Sequence, residues 1–470
     1  MRKKMLGMLL CSVMAAGILT GCGGSDSSRE EDADASNVEA TEIPDNTVIG
    51  NADAKDAFVI WGWDDDIKKI LDGTFKEDYP EEYKRIVFVN TEGSDYYQDK
   101  LDDILNNPNS SLYPDLMGLE VDYVLKYVKG DSLLPVDDLG IKQTDYADQY
   151  SYNVDLGMNR EGKVKALFWQ ATPGCWQLRA DFCKQYLGTD DPEVLQEDYF
   201  SSWDKILATA QKLNEDSSGK VKLLSGYTDV FRIFSNARKT GWYDSKDKGE
   251  SQSIQIDDQM KRYMDVAKQM YEGELTFDTE QWSADWMANM VGDGRISNAA
   301  LAYTGCPWFT YRSLGGDGKE QANPWVENTI LVRGPQNFYW GGTGLAATVG
   351  CTDKGLAGKI MKYFTCEQES MMKISRMNSD FVNNKKVVKK LTNTAECDKL
   401  YPLAEQNFME FYLPLAEGID TSTVTAEDKD INDMWDAQVK EYVQGTKDEE
   451  KAMEDFKMAV HEKYEYLTVE

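Results

Sequence analysis

The 470-residue chain carries a formal charge of −31, from 82 acidic and 51 basic residues. That balance repels nucleic acid and anionic lipid headgroups, so neither is expected as a partner held by charge. Twelve Trp, 25 Tyr and 16 Phe supply many aromatic faces, while the only histidine, His461, excludes His-based triads and H-E-x-x-H metal sites.

The start of the chain reads as an address. Arg2, Lys3 and Lys4 form a basic start. The apolar run that follows, residues 5–19, is about 15 residues long, the length of a signal-peptide core and short for a membrane span. It ends in Leu19-Thr20-Gly21-Cys22, which resembles the bacterial lipobox. That resemblance implies that residues 1–21 are a signal peptide. It also implies that Cys22 receives a diacylglycerol and anchors the protein to the cell membrane on its extracytoplasmic face. Two acyl chains matter, since one holds a protein only weakly. Residues 22–55 are rich in Gly, Ser, Asp, Glu and Ala and are read as a flexible tether, too polar to offset its chain entropy.

The remaining length suits two lobes. Phe58-Val59-Ile60-Trp61 reads as a buried strand, followed by Asp64, Asp65 and Asp66 as helix caps. Ile67, Ile70, Leu71 and Phe75 recur at helical spacing up to Pro80. A second strand is predicted at 86–89, a helix striped by Tyr97, Leu101, Ile104 and Leu105, and a third strand opening at Pro114-Asp115-Leu116-Met117. This βαβαβ order predicts an α/β fold with a parallel sheet covered on both faces. A second lobe is expected from about residue 170. Ser201-x-x-Asp204 there resembles a capping box ahead of Trp203, Ile206, Leu207, Ala210 and Leu213. Further stripes run through Met260, Tyr263, Met264, Ala267, Met270 and Tyr271, and through Met453, Phe456, Val460 and Tyr464. They read as core.

Other chemistry finds little support. No phosphate-binding glycine loop and no C-x-x-C pair occurs. Of eight cysteines, Cys11 leaves with the signal and Cys22 takes lipid, so Cys175, Cys183, Cys306, Cys351, Cys366 and Cys397 remain, as disulfides or buried thiols. Asp428-x-Asp430-x-Asn432 begins like an EF-hand loop, but Asp433 replaces the needed glycine and Val439 the bidentate glutamate. No metal or cofactor is expected.

Several stretches, in order, resemble family 1 extracellular solute-binding proteins, the class that includes maltose-binding protein. They are Phe58 to Asp65, Pro114 to Glu120, Leu133-Leu134-Pro135-Val136 and Lys163 to Phe168 with Gln170 to Cys175. After these come Trp203-Asp204-Lys205-Ile206, Met290 to Trp308 with its Gly305-Cys306-Pro307-Trp308 turn, Trp340 to Ala346, and Asp380 to Lys385. The resemblance spans about 56–465. It implies a two-lobe, type II periplasmic-binding-protein-like fold with the ligand cleft between lobes. Lobe one would be 56–168 plus 341–392, and lobe two 169–340 plus 393–470. It also implies a monomer that captures a carbohydrate and delivers it to the permease subunits of an ABC transporter.

Sugars need flat aromatic faces and polar groups aimed at hydroxyls, gathered where strands end. The candidates are Trp61, Trp63, Asp64 and Asp65 from the first turn, and Glu120 and Asp122 from the loop after the third strand. Thr172 and Trp176 flank the lobe crossing. Asp229, Phe231 and Arg232 match a sugar-contact region of the family, followed by Trp308, Trp340, Gly342 and Trp435. Alternatives stand beside them: Trp61, Trp176 and Trp435 as core, Asp64 as a helix cap, Arg232 as a lobe-to-lobe ion pair. Binding without chemistry leads. A surface glycosidase or lyase using paired carboxylates, and a sugar sensor signalling through a membrane kinase, are the competing functions.

Overall fold

The computed structural model describes residues 46–93, 96–244, 252–291, 299–314, 324–325, 327–394, 397, 403–404 and 406–469. The predicted signal peptide and Cys22 lie outside the described residues, as does most of the tether. The β-branched and aromatic runs set the first layer. Phe58–Gly62 pairs in parallel with Ile86–Asn90 on one side and Leu116–Glu120 on the other, the predicted βαβαβ core. All five residues of Phe58–Gly62 are buried, as a strand covered on both faces requires. The helix after it, Asp66–Ile70, widens into a π-helical turn at Leu71–Phe75 and buries Ile67, Ile70, Leu71 and Phe75. Pro80 both ends that run and opens the next helical turn, where its missing N–H costs nothing.

The sheet is mixed rather than purely parallel. Thr343–Ala347 inserts antiparallel between Leu116–Glu120 and Ala166–Phe168, with Thr343 opposite Glu120. On the far edge, Thr47–Ile49 pairs antiparallel with Ile86–Asn90. These residues fall within the segment read as tether, which therefore ends before residue 47. Three consecutive β-branched-rich residues take up an available sheet edge despite their polar surroundings.

A second sheet places Cys175–Arg179 between Ala302–Gly305 and Thr329–Val332, all antiparallel. Around it pack Trp203–Ser217, Asp258–Glu272, Asp428–Val443 and Glu449–Lys463. The first of these is capped by Ser202, whose hydroxyl accepts from the Lys205 N–H at 3.3 Å. The predicted cap Ser201 instead donates to the Glu197 carbonyl at 2.7 Å, so the frame shifts by one. Among the described residues two large hydrophobic cores result, dividing at Cys175 and Trp176, with a smaller third cluster around Trp286, Tyr303, Phe309 and Trp340. The helix Phe408–Glu417, expected in the second lobe, buries Phe408, Met409 and Tyr412 in the first core, with Tyr412 5.8 Å from Phe381. The polar stretch before it carries no signal of this return.

The crossing strands form a ribbon between the cores. Pro173 pairs with Tyr339, Gly174 N–H donates to Phe338 O at 2.7 Å, and Trp340 N–H donates to Thr172 O at 3.1 Å. The six cysteines from Cys175 onward are free thiols. His461 is exposed, its Nδ1 2.6 Å from the Leu467 carbonyl. No helix among the described residues is long and apolar enough to cross a membrane.

Three candidate ligand contacts are core instead. Trp61 is 2 % exposed and donates from Nε1 to the Leu112 carbonyl at 2.8 Å. Trp176 packs against Phe200 and Trp203, and Trp435 against Trp242 and Phe456, both fully buried. Each lies at a buried strand or helix face, where an aromatic is recruited for packing. Trp435→Ala is expected to cost about 3–5 kcal/mol in urea unfolding.

Candidate functional site: an aromatic and acidic cleft between the lobes

The remaining candidates gather where strands of the first lobe end and face the second. The turn after Phe58–Gly62 presents Trp63 to Asp66, the end of Leu116–Glu120 presents Glu120 and Asp122, and the crossing ribbon brings Thr172 and Tyr339 to Gly342. The second lobe contributes Asp229 to Arg232 and the turn from Trp308 to Arg312.

A bidentate ion pair spans the lobes. Arg232 Nη1 donates to Asp122 Oδ1 at 2.8 Å and Nη2 to Oδ2. The same guanidinium lies over the Trp340 ring, 5.2 Å from its centroid. Glu120 Oε2 accepts the Asp122 N–H at 2.9 Å. Burial, and then the neighbouring Asp122 charge, push Glu120 up to about 8, with Arg232 opposing. Beside it the chain runs through Gly341 at φ +63° and Gly342 at φ +113°. A Cβ on Gly341 would lie 2.8 Å from Glu120 Oε1, and one on Gly342 3.1 Å from Thr172. Glycine is required there by both backbone and space. Thr172 Oγ1 donates to the Gly341 carbonyl at 2.6 Å and fixes that turn.

A second charged pair ties Arg312 to Asp66. Asp64 Oδ1 accepts the Asp66 N–H at 2.9 Å, and burial, then the Asp66 charge, raise it to about 7. It is thus a local turn acceptor as well as a cleft acid. Asp65 is exposed and accepts from Asn90 Nδ2 at 3.3 Å. Trp63 is half-buried, edge-on to Tyr97 at 5.1 Å.

Opposite stands an aromatic wall. Trp308 is half-buried and nearly parallel to Trp282, at 16° with centroids 6.4 Å apart. Trp340, only 5 % exposed, packs behind them in the third cluster, 5.8 Å from Trp282 and 5.7 Å from Trp308, with Phe309 stacked on it. Trp282 is 50 % exposed and adopts φ +68°. A bulky side chain in left-handed backbone is a genuine outlier. Such strain is retained where the surroundings impose it, characteristically at ligand sites. Behind the wall Trp286 donates from Nε1 to Asp229 Oδ1 at 2.9 Å. Asp229 is buried, which pushes it up to about 7. Phe231 is half-buried, edge-on to Tyr263 at 5.3 Å, and with Asp229 and Arg232 lines a cavity of about 470 Å³ beyond the ion pair.

Trp282, Trp286 and Arg312 were not among the sequence candidates. Trp282 precedes the helix Ala284–Val291 in left-handed backbone, so helical spacing gives no signal for it; Trp286 lies on that helix and is buried. Arg312 had no signal either; only folding brings it to Asp66. Among the described residues no cluster of His, Cys, Asp and Glu is arranged to hold a metal ion.

The raised acids predict a pH dependence. Native Glu120, Asp64 and Asp229 titrate near 8, 7 and 7, whereas the unfolded chain releases these protons near pH 4. The folded state therefore binds more protons between pH 4 and 8, and stability falls as pH rises through that window. The melting midpoint of the unliganded protein is expected to be lower at pH 8 than at pH 5. Glu120→Gln should flatten the upper part of that slope in a thermal-unfolding series.

The family model of the bacterial extracellular solute-binding protein matches residues 74–402. A search of curated protein sequences returns no significant match. Solved structures share the fold at low identity. One is the ABC-transporter-associated binding protein of B. animalis subsp. lactis with β-1,6-galactobiose. It is 16 % identical, with a TM-score of 0.67 over 88 % of this chain and 99 % of that one. A second is the galacto-N-biose/lacto-N-biose I-binding protein of an ABC transporter from Bifidobacterium longum, at 14 % identity and TM-score 0.65 over 88 % and 98 %. A third is maltose-bound MalE3 of T. maritima, at 15 % and 0.61 over 85 % and 97 %. The family match covers most of the chain, and the fold is shared with those structures over 85–88 % of it. The chain belongs to the bacterial extracellular solute-binding protein family.

Proposed function

We propose that this protein captures an oligosaccharide in the cleft between its lobes and delivers it, uncut, to the permease subunits of an ABC importer. Cys22 would carry the lipid that holds it at the extracytoplasmic face of the membrane. The lobes would be those expected from the sequence, with Phe408–Glu417 moved to the first. The observation that carries the reading is the pair of accessible, nearly parallel indoles Trp282 and Trp308, backed by the buried Trp340 and set beside Glu120, Asp122 and Arg232. Indole faces suit the C–H faces of pyranose rings, and the charged groups suit hydroxyls in fixed directions. The structural neighbours named above are themselves described with sugars, which supports the same ligand class. Closure would follow a hinge in the crossing ribbon, ending on the Asp122–Arg232 and Asp66–Arg312 pairs.

Glycoside hydrolysis fits less well. It needs a proton-donating carboxyl and an ionised one flanking the scissile bond. Glu120 and Asp122 instead lie two residues apart at one strand end, and Asp122 is engaged by Arg232. The test is a thermal-shift screen of the lipid-free mature protein against neutral oligosaccharides. A ligand that binds only the folded state raises the midpoint by mass action. A rise with one glycan class supports the reading; no rise across mono- to tetrasaccharides, with rises for peptides, would replace it.

A further inference from the structure

The cavity beyond the Asp122–Arg232 pair extends the tryptophan wall. Arg232 and Tyr339 line it, Arg232 also covers the Trp340 ring, and its wall residue Gln281 immediately precedes Trp282. At about 470 Å³ it falls in the range, about 300–1,000 Å³, in which small ligands are enclosed, so it has room for a pyranose unit. Its charges do not balance. The basic residues of its wall are each paired: Arg232 with Asp122, Arg238 with Asp428, Lys429 with Asp433, and Lys440 with Glu280. The carboxylates of Asp229, Asp278 and Asp436 line the same space and form no ion pair among the described residues. Asp436 accepts from a neutral group, the Tyr263 hydroxyl at 2.7 Å. Burial raises all three acids above their ordinary values. Neutral donors on the same wall include Asn236, Gln281 and Asn432.

We infer that this cavity is a second subsite of the cleft, taking a neutral sugar unit whose neighbour lies on the tryptophan wall, and rejecting uronate, sulfated and phosphorylated sugars. The inference rests on the sugar-binding reading of that wall. Hydroxyls donate to the unpaired carboxylates and accept from wall donors, so a neutral unit satisfies both kinds of group. An anionic unit would bring like charge against carboxylates that form no ion pair and have only the Glu280-paired Lys440 nearby among the described residues.

The experiment is isothermal titration of the lipid-free mature protein with mono-, di- and trisaccharides of glucose, galactose, mannose and xylose, and with di- and trigalacturonate. The variants are Trp282→Ala and the double variant Asp278→Asn with Asp436→Asn. Asparagine tolerates the φ +54° backbone at 278, so that substitution preserves the loop. In the wild type, the galacturonates are expected to bind at least about tenfold more weakly than a neutral sugar of equal length. The double variant should lose about five- to tenfold in affinity for di- or trisaccharide, leave monosaccharide binding unchanged, and narrow the galacturonate gap. Trp282→Ala should weaken mono- and oligosaccharides alike. Galacturonates binding as tightly as neutral sugars would overturn the charge assignment, whether or not the variants fold. Equal losses for mono- and oligosaccharide in the double variant would overturn the second subsite while leaving the sugar reading intact. Binding of no sugar by the wild type would overturn both.

Discussion

Trp282→Ala is expected to lower oligosaccharide affinity by about ten- to hundredfold while the unliganded protein melts almost where the wild type does. The indole is half-exposed, so its removal leaves no large cavity in the core. In the complex, sugar would cover that exposed face. Burying an aromatic surface of this kind contributes about 1.5–3 kcal/mol, and each 1.4 kcal/mol is about tenfold in affinity. Trp308, nearly parallel to it, would remain to hold the ligand weakly. Calorimetric titration and thermal unfolding of the same variant check the two halves. A large stability loss with unchanged affinity would make Trp282 a packing residue and leave its left-handed backbone without a functional reason.

Arg232→Ala should have a comparable effect by another route. The guanidinium carries the first bidentate link between lobes and opposes the repulsion between Glu120 and Asp122. Without it, Asp122 faces the closing cleft with no ion-pair partner, beside a buried Glu120. Glu120 then holds its proton to still higher pH, and the closed form is disfavoured. The paired side chains are 29 % and 22 % exposed, so solvent screens part of the interaction. About 1–3 kcal/mol in ligand affinity is expected, below the cost of breaking a fully buried pair. Arg232→Lys should recover only part, because an ammonium cannot reproduce two parallel bonds to Asp122. Small-angle scattering should show the alanine variant more open in the absence of ligand. An unchanged affinity and an unchanged envelope would remove this pair from the closure mechanism.

The two predictions rest on unequal kinds of legibility. The strands Phe58–Gly62, Ile86–Asn90 and Leu116–Glu120 could be read directly, since runs of Val, Ile and Phe in buried parallel strands leave an unbroken apolar signal. Their C-terminal ends then located Trp63, Asp64, Glu120 and Asp122 by a general rule of α/β sheets. Arg232 carried two readings, ligand contact or lobe-to-lobe pair; the structure shows the pair. Composition could not separate tryptophans. Trp176 and Trp435 sit inside cores, whereas Trp282, outside the sequence candidates, is the most exposed ring of the wall. A one-dimensional pattern records that an indole is present, not whether a neighbouring segment covers it. The same limit hid Arg312, whose partner Asp66 is 246 positions away. It also hid Phe408–Glu417, whose aromatic face meets Phe381 only after the chain has crossed back.

The most direct measurement is calorimetric titration of the lipid-free mature protein with the glycan class found by thermal shift, followed by mass spectrometry of the recovered sugar. One-to-one binding, lost in large part in Trp282→Ala, with the glycan recovered at its original mass, is the expected result. Shortened or opened glycan would contradict a binding protein without chemistry and return Glu120 to consideration as a catalytic acid. Undiminished binding in Trp282→Ala would place the sugar elsewhere than the cleft between the lobes.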